Sequence, residues 1–133
     1  MSMPTTADLV RDLFQLVHDR DAEGAAKLFA EQVDFSIPSA PRIPWIPAVD
    51  SPAGMLEFFT LVPRHLDSKR FEILKVLADD QDAVVLGDLV STVRSTGRDI
   101  VTPFAIHLSV RDGKIHRYHL YEDSWAVAEA VKP

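Results

Sequence analysis

The 133-residue sequence contains no cysteine. That excludes disulfide scaffolds, thiol nucleophiles and cysteine-based zinc centres, and it leaves the redox compartment open. Glycine is scarce, with five residues and none in a G-x-G pattern. Neither a phosphate-cradling loop nor a dinucleotide fingerprint is present, so no nucleotide cofactor is expected. No apolar run approaches the ~18 residues of a membrane-crossing helix. The opening residues Met1–Pro4 lack the basic-then-apolar order of a signal peptide. The chain is therefore expected to be soluble and cytoplasmic. Lys and Arg number 14 against 20 Asp and Glu, a net charge of −6 without a basic cluster. Nucleic-acid binding draws on clustered cations, so neither nucleic acid nor an anionic membrane surface is expected as a partner. What the chain does have is 47% hydrophobic residues. At this length that supports one domain over 1–133, burying about two-thirds of the unfolded surface without covalent staples.

Thr5 or Thr6 can cap a helix over about 5–19, whose residues Val10, Leu13, Phe14 and Val17 recur at helical spacing. Asp21 caps a second helix with Ala22, Ala25, Leu28 and Phe29 inward, closed by Glu31 and Gln32. Val33, Phe35 and Ile37 alternate with Asp34 and Ser36, the period of a half-buried strand, and Pro38 stops it. Pro38, Pro41, Pro44 and Pro47 forbid helix across the next segment. This stiff loop carries Trp45 and Ile46, so it must cover something apolar. Ser51–Pro52 opens a third helix to about residue 66, which Pro63 should bend or shorten.

The pattern then turns extended. Strands are predicted over Phe71–Leu77, Ala83–Ser95, Ile100–Arg111 and Lys114–Glu122, with Asp112–Gly113 as the clearest hairpin turn. Asp123 or Ser124 caps a last short helix. Helix, helix, strand, helix, a four-stranded antiparallel meander and a terminal helix make an α+β domain with helices on one sheet face.

That order resembles a known superfamily. It carries Ala26–Ala30 leading into a strand, a Trp-bearing loop and Glu57–Phe59 in the third helix, then Val110–Ile115 and Tyr121–Asp123. The chain is similar to the nuclear transport factor 2-like group, and within it to the SnoaL-like polyketide cyclase and ketosteroid-isomerase-like branch, over about residues 6–129. The resemblance implies a cone-shaped fold, a strongly curved and mostly antiparallel sheet wrapped around three helices from the N-terminal half, enclosing a deep, mostly apolar cavity. It also implies a homodimer through the open sheet face. Members include isomerases, cyclases, hydrolases and dehydratases as well as non-catalytic binders, so fold alone does not choose a chemistry. At three positions where the family often carries its acid or base, this chain has Leu120, Ile106 and Ile37.

Titratable groups near such a cavity are the catalytic candidates. These are His107 and His119 as bases and Tyr118 and Tyr121 as hydrogen-bond donors, each weighed against an ordinary solvated or interface role. A regular two-residue turn at Asp112–Gly113 places His107 opposite Tyr118, with His116 diagonal to it and with His119 and Tyr121 on the apolar face of Phe104 and Ile106. The family resemblance instead turns Tyr118 and Leu120 inward. The two differ by one residue, the effect of a β-bulge in the last strand. His116 and His119, three apart on a strand, point to opposite faces, and no metal site is expected. Asp88, within an apolar run, is either an inward base or an outward acid paired with Arg94 or Arg98. Asp34 and Glu122 are candidates for a cavity rim or for solvated strand faces. The expected pocket lining is Phe35, Trp45, Phe59, Phe104, Ile106, Tyr118 and Leu120, fit for a small, largely apolar metabolite. The functional expectation is a SnoaL-like protein that binds such a ligand, with isomerase, cyclase or hydratase chemistry or with none. The alternative is a dimeric binding or interaction module whose pocket is incidental.

Overall fold

A computed structural model describes residues 4–133, so the reading of the N-terminus falls, for Met1–Met3, outside the described residues. Helix α1 spans Thr6–His18 and buries Leu9, Val10 and Leu13. It begins where Thr5 and Asp8 close a capping box: the Thr5 hydroxyl accepts from Asp8 N at 3.0 Å, and the Asp8 carboxylate accepts from Thr5 N at 3.1 Å. Two donors that the helix start would otherwise orphan are satisfied. Helix α2 covers Ala22–Ala26, with the Asp21 carboxylate accepting from Gly24 N at 2.8 Å. It does not extend to Gln32 as expected, because strand β1 occupies Phe29–Ser36. Phe29 pairs with Ile115, and Ile115 N donates to Leu28 O at 2.9 Å. A buried pairing partner outweighs a weak local helical preference.

The proline-rich loop buries Ile43 and Trp45, and these pack on Val93, Ile100, Val127 and Ala130. Helix α3, Pro52–His65, starts at the Ser51 cap and continues through Pro63. Strand β2, Leu66–Ala78, follows at once, beginning at Leu66 rather than the expected Phe71. Strands β3 (Asp82–Val93), β4 (Asp99–Arg111) and β5 (Lys114–Glu122) complete the meander, and helix α4 (Ser124–Val131) starts at the expected Asp123 cap. The sheet order is β1-β5-β4-β3-β2, with β1 parallel to β5 and every other pairing antiparallel. The sheet is open, with helices against its inner face, the α+β cone expected from the sequence.

One register shift decides which side chains face inward. Asp112 and Gly113 take φ of 54° and 74°, the left-handed pair of a tight hairpin turn. Arg111 stands opposite Lys114 and Val110 opposite Ile115, but Ser109 stands opposite Arg117. His116 is the extra residue of a β-bulge, and a one-residue slip exchanges faces. Tyr118, Leu120 and Glu122 therefore lie across from Leu108, Ile106 and Phe104, on the inner face. His119 and Tyr121 lie across from His107 and Ala105, on the outer face. Of the two readings open in the sequence, the one implied by family resemblance holds.

Candidate functional site

The centre of the inner face is the ring of Tyr118, which is buried. Strand β5 carries it beneath the α3 aromatics, so the ring touches four phenylalanines: Phe35 stacked at 5.9 Å, Phe58 at 5.8 Å, Phe59 at 6.2 Å and Phe29 at 6.3 Å between centroids. Its hydroxyl is pushed above its ordinary range, first by burial and then by the nearby Glu122 carboxylate. At neutral pH it stays protonated and is a hydrogen-bond donor. Glu122 lies two positions past Leu120 on the same face. Burial alone raises its carboxyl to about 7, and among the described residues no cation or donor is set against it. A carboxyl without a partner on an apolar face keeps its proton to a higher pH, because charging it there costs desolvation.

Phe104, opposite Glu122, leans the other way. Its ring lies over Gly87, where an added Cβ would come within 2.5 Å of the ring and 2.1 Å of Glu72 O. Phe71 of β2 stacks on Phe104 at 4.7 Å and Phe14 of α1 on Phe71 at 6.0 Å, while Phe71 remains 47% exposed. The aromatic path thus runs from solvent to Phe104.

Of the expected lining, Phe35, Phe59, Phe104, Ile106, Tyr118 and Leu120 share this one apolar cluster. Trp45 is elsewhere, in the second cluster under α4, beside His65. The expected catalytic residues are split: Tyr118 is inward, whereas His107, His119 and Tyr121 are on the outer face. Asp88 is outward too, across from Glu72 and Pro103 and beside Arg70 at a shallow hollow. Its expected partners Arg94 and Arg98 donate instead to backbone carbonyls of Pro63 and of Glu129 and Pro133.

The outward histidines each meet an acid. His107 Nε2 hydrogen-bonds Asp82 Oδ1 at 2.8 Å, and Ser109 Oγ donates to the same oxygen at 2.6 Å. His119 Nε2 stands 2.9 Å from Asp34 Oδ1, off the line a hydrogen bond needs, and Arg117 Nε donates to Asp34 Oδ2 at 3.2 Å. His119, then Arg117, holds Asp34 below the usual carboxylate range; Ser109, then His107, does so for Asp82. This is no nucleophilic triad. Ser109 gives its proton to Asp82, and His107 turns toward that carboxylate the nitrogen that would have to serve as base, with Ser109 Oγ 3.4 Å away.

Glu122 entered the sequence reading only as a residue of a cavity rim or of a solvated strand face. The signal that finds it is the alternation Tyr118, Leu120, Glu122 once the His116 bulge is known. Among the described residues no group of three or more His, Asp or Glu is arranged to hold a metal ion, and no helix is long and apolar enough to cross a membrane.

A sequence model of the SnoaL-like domain matches residues 10–118. The chain belongs to that family. Among solved structures, an NTF2-like protein of Burkholderia xenovorans matches at 22% identity over 99% of both chains, with a TM-score of 0.87. Another, from Burkholderia thailandensis, matches at 19% identity over 100% of both chains with a TM-score of 0.83. TerC, co-crystallised with polyporic acid, matches at 22% identity over 96% of this chain and 98% of its own, with a TM-score of 0.80. These likenesses establish the fold of this SnoaL-like chain. No curated protein matches it.

Proposed function

We propose that this SnoaL-like protein binds a small, largely apolar metabolite on the inner face of its sheet and moves a proton on it with Glu122, as an isomerase, cyclase or hydratase does. One observation carries the reading: a carboxyl without a charge partner among the described residues sits on the aromatic face across from Phe104, where burial raises it to about 7. A general base works best when its pKa lies close to the working pH, since both protonation states are then populated. In its charged form Glu122 takes a proton from a ring carbon conjugated with a carbonyl at the other end of the ligand. The neutral Tyr118 hydroxyl donates to the oxyanion that develops, and the protonated Glu122 returns the proton at another atom. Tyr118 and Glu122 are four residues apart on one strand, about 13 Å between α-carbons, a span that suits a ligand of two or three fused or linked rings. The ligand in TerC, a protein of this fold, supports a metabolite-binding reading.

A binding or interaction module without chemistry is the second reading. It is favoured by the contact of Tyr118 with all four phenylalanine rings, which a ligand must part to reach the hydroxyl.

The test is a thermal-shift screen of the protein against steroid, polyketide, terpenoid and fatty-acid ligands at pH 6 and 8. A ligand at ~100 times its dissociation constant adds about 2.7 kcal/mol, a rise of several degrees. Any ligand that binds is then incubated in D2O with wild type and with Glu122→Gln. The proposal expects deuterium uptake that the variant slows by about a hundredfold or more. Uptake untouched by the substitution ends the proton-transfer reading, and a flat screen favours the interaction module.

A further inference from the structure

Glu122 is the last residue of β5, with Leu120 two positions back on the same face and Phe104 across on β4. The next inward residue of β4 is the buried Thr102, and its hydroxyl is already engaged. Thr102 Oγ1 donates to Pro103 O at 2.6 Å and accepts from Asp123 N at 2.9 Å. Asp123 in turn caps α4 through Ala126 N at 3.0 Å. Cations on the neighbouring elements are committed elsewhere. Arg117 turns outward to Asp34, Arg98 donates to the carbonyls of Glu129 and Pro133, and Lys132 pairs with Glu129. The α3 side chains over this face are the neutral Phe58 and Phe59, and β3 offers Gly87. The one other ionisable group along the face is Tyr118, a neutral phenol close enough to sense the Glu122 charge.

Once ionised, such a carboxylate is an anion on an apolar wall with nothing to balance it. A ligand that brings a cation removes that cost. The wall itself suits one, because an ammonium group is drawn to the faces of aromatic rings. Phe104 stands across from Glu122, and Tyr118 with its phenylalanines lies further along the same face. A ligand carboxylate meets the opposite conditions, a like charge at Glu122 and no cation set against that end of the face among the described residues.

We propose that the inner face is selective for organic cations, taking a two- or three-ring compound that carries a protonated amine, with Glu122 as the counter-ion and the aromatic side chains around the rings. The inference rests on the inner face as the binding site and not on proton transfer. A cation against Glu122 holds it ionised and makes it a poorer base, so such a ligand is bound rather than turned over.

The test is titration calorimetry on the whole protein at pH 8 with three probes that share one biphenyl frame: para-phenylbenzylamine, para-phenylbenzyl alcohol and para-phenylbenzoate. Wild type and Glu122→Gln are compared, and circular dichroism checks that the variant is folded. Wild type is expected to bind the amine about tenfold more tightly than the alcohol, or better, and the benzoate least. Glu122→Gln is expected to bind amine and alcohol alike. Repeating the amine titration at pH 7 in buffers of different ionisation enthalpy should show about half a proton released from wild type, because the carboxyl is then half protonated. The variant should release none. An amine that binds no more tightly than the alcohol overturns the inference and leaves the apolar-metabolite reading standing. A preference for the amine that survives in Glu122→Gln places the attraction on the acidic surface and overturns it too, as does a wild type that binds none of the three probes. An intact amine preference without deuterium uptake on any ligand ends the proton-transfer reading alone.

Discussion

Replacing Glu122 with Gln should change how stability depends on pH, in a direction the structure fixes. Burial raises the Glu122 carboxyl from an ordinary 4.5 to about 7. A group whose folded pKa is raised keeps a proton in the folded state that the unfolded chain has already released. Wild-type stability therefore falls as pH rises from about 4.5 through 7 and levels off above, once both states are ionised. The shift of about 2.5 units, at about 1.4 kcal/mol per unit, makes the total loss about 3.5 kcal/mol. Gln cannot ionise, so the variant lacks this loss. Near pH 4.5 the two proteins should agree to within about 1 kcal/mol, the cost of placing an amide where a neutral carboxyl stood. At pH 8 the variant should be more stable by about 2 to 3 kcal/mol, several degrees in melting temperature for a domain of this size. Urea denaturation at pH 5, 6, 7 and 8 measures it. The difference between the two proteins is the quantity to follow, because the half-buried His116 and the acids Asp34 and Asp82 titrate in both and cancel. A difference that stays flat across the series refutes the placement of this carboxyl in an apolar environment.

Three further outcomes follow from named contacts. Gly87→Ala drives a methyl into Glu72 O and the Phe104 ring, and since a backbone oxygen cannot step aside it should cost more than about 2 kcal/mol in urea denaturation. Tyr118→Ala empties the centre of the aromatic cluster and should cost about 3 to 5 kcal/mol by the same measurement. Asp82 is held low by Ser109 and then His107, so its contribution is present above the unfolded carboxylate range, about 3.9, and is lost as pH falls through its folded value. Asp82→Asn should be less stable than wild type at neutral pH and should show a shallower loss of stability below about pH 4.

Local chemistry made much of the fold legible. Thr5, Asp21, Ser51 and Asp123 each cap a helix where a short polar side chain precedes an apolar run, and Asp112–Gly113 marks the hairpin. Long-range pairing hid the rest. The residues after α2 look helical, and only their partner Ile115, far along the chain, makes Phe29 the start of a strand. Trp45 is aromatic enough to line a pocket, but the loop returns it to the second cluster beneath α4. The candidate site turned on a single residue. Counting outward from a regular turn sends His119 and Tyr121 inward, and the bulge at His116 reverses this, setting Tyr118 and Glu122 inside. No residue type announces that bulge; it shows only in how β5 pairs with β4.

The central claim is that Glu122 is an inward carboxyl titrating near neutral pH on the same strand face as a neutral tyrosine. A carbon-13 NMR titration of the side-chain carboxyl carbons tests it most directly, with the Glu122 resonance assigned by its loss in Glu122→Gln. The account predicts a midpoint near 7. A midpoint in the ordinary glutamate range, about 4 to 5, contradicts it.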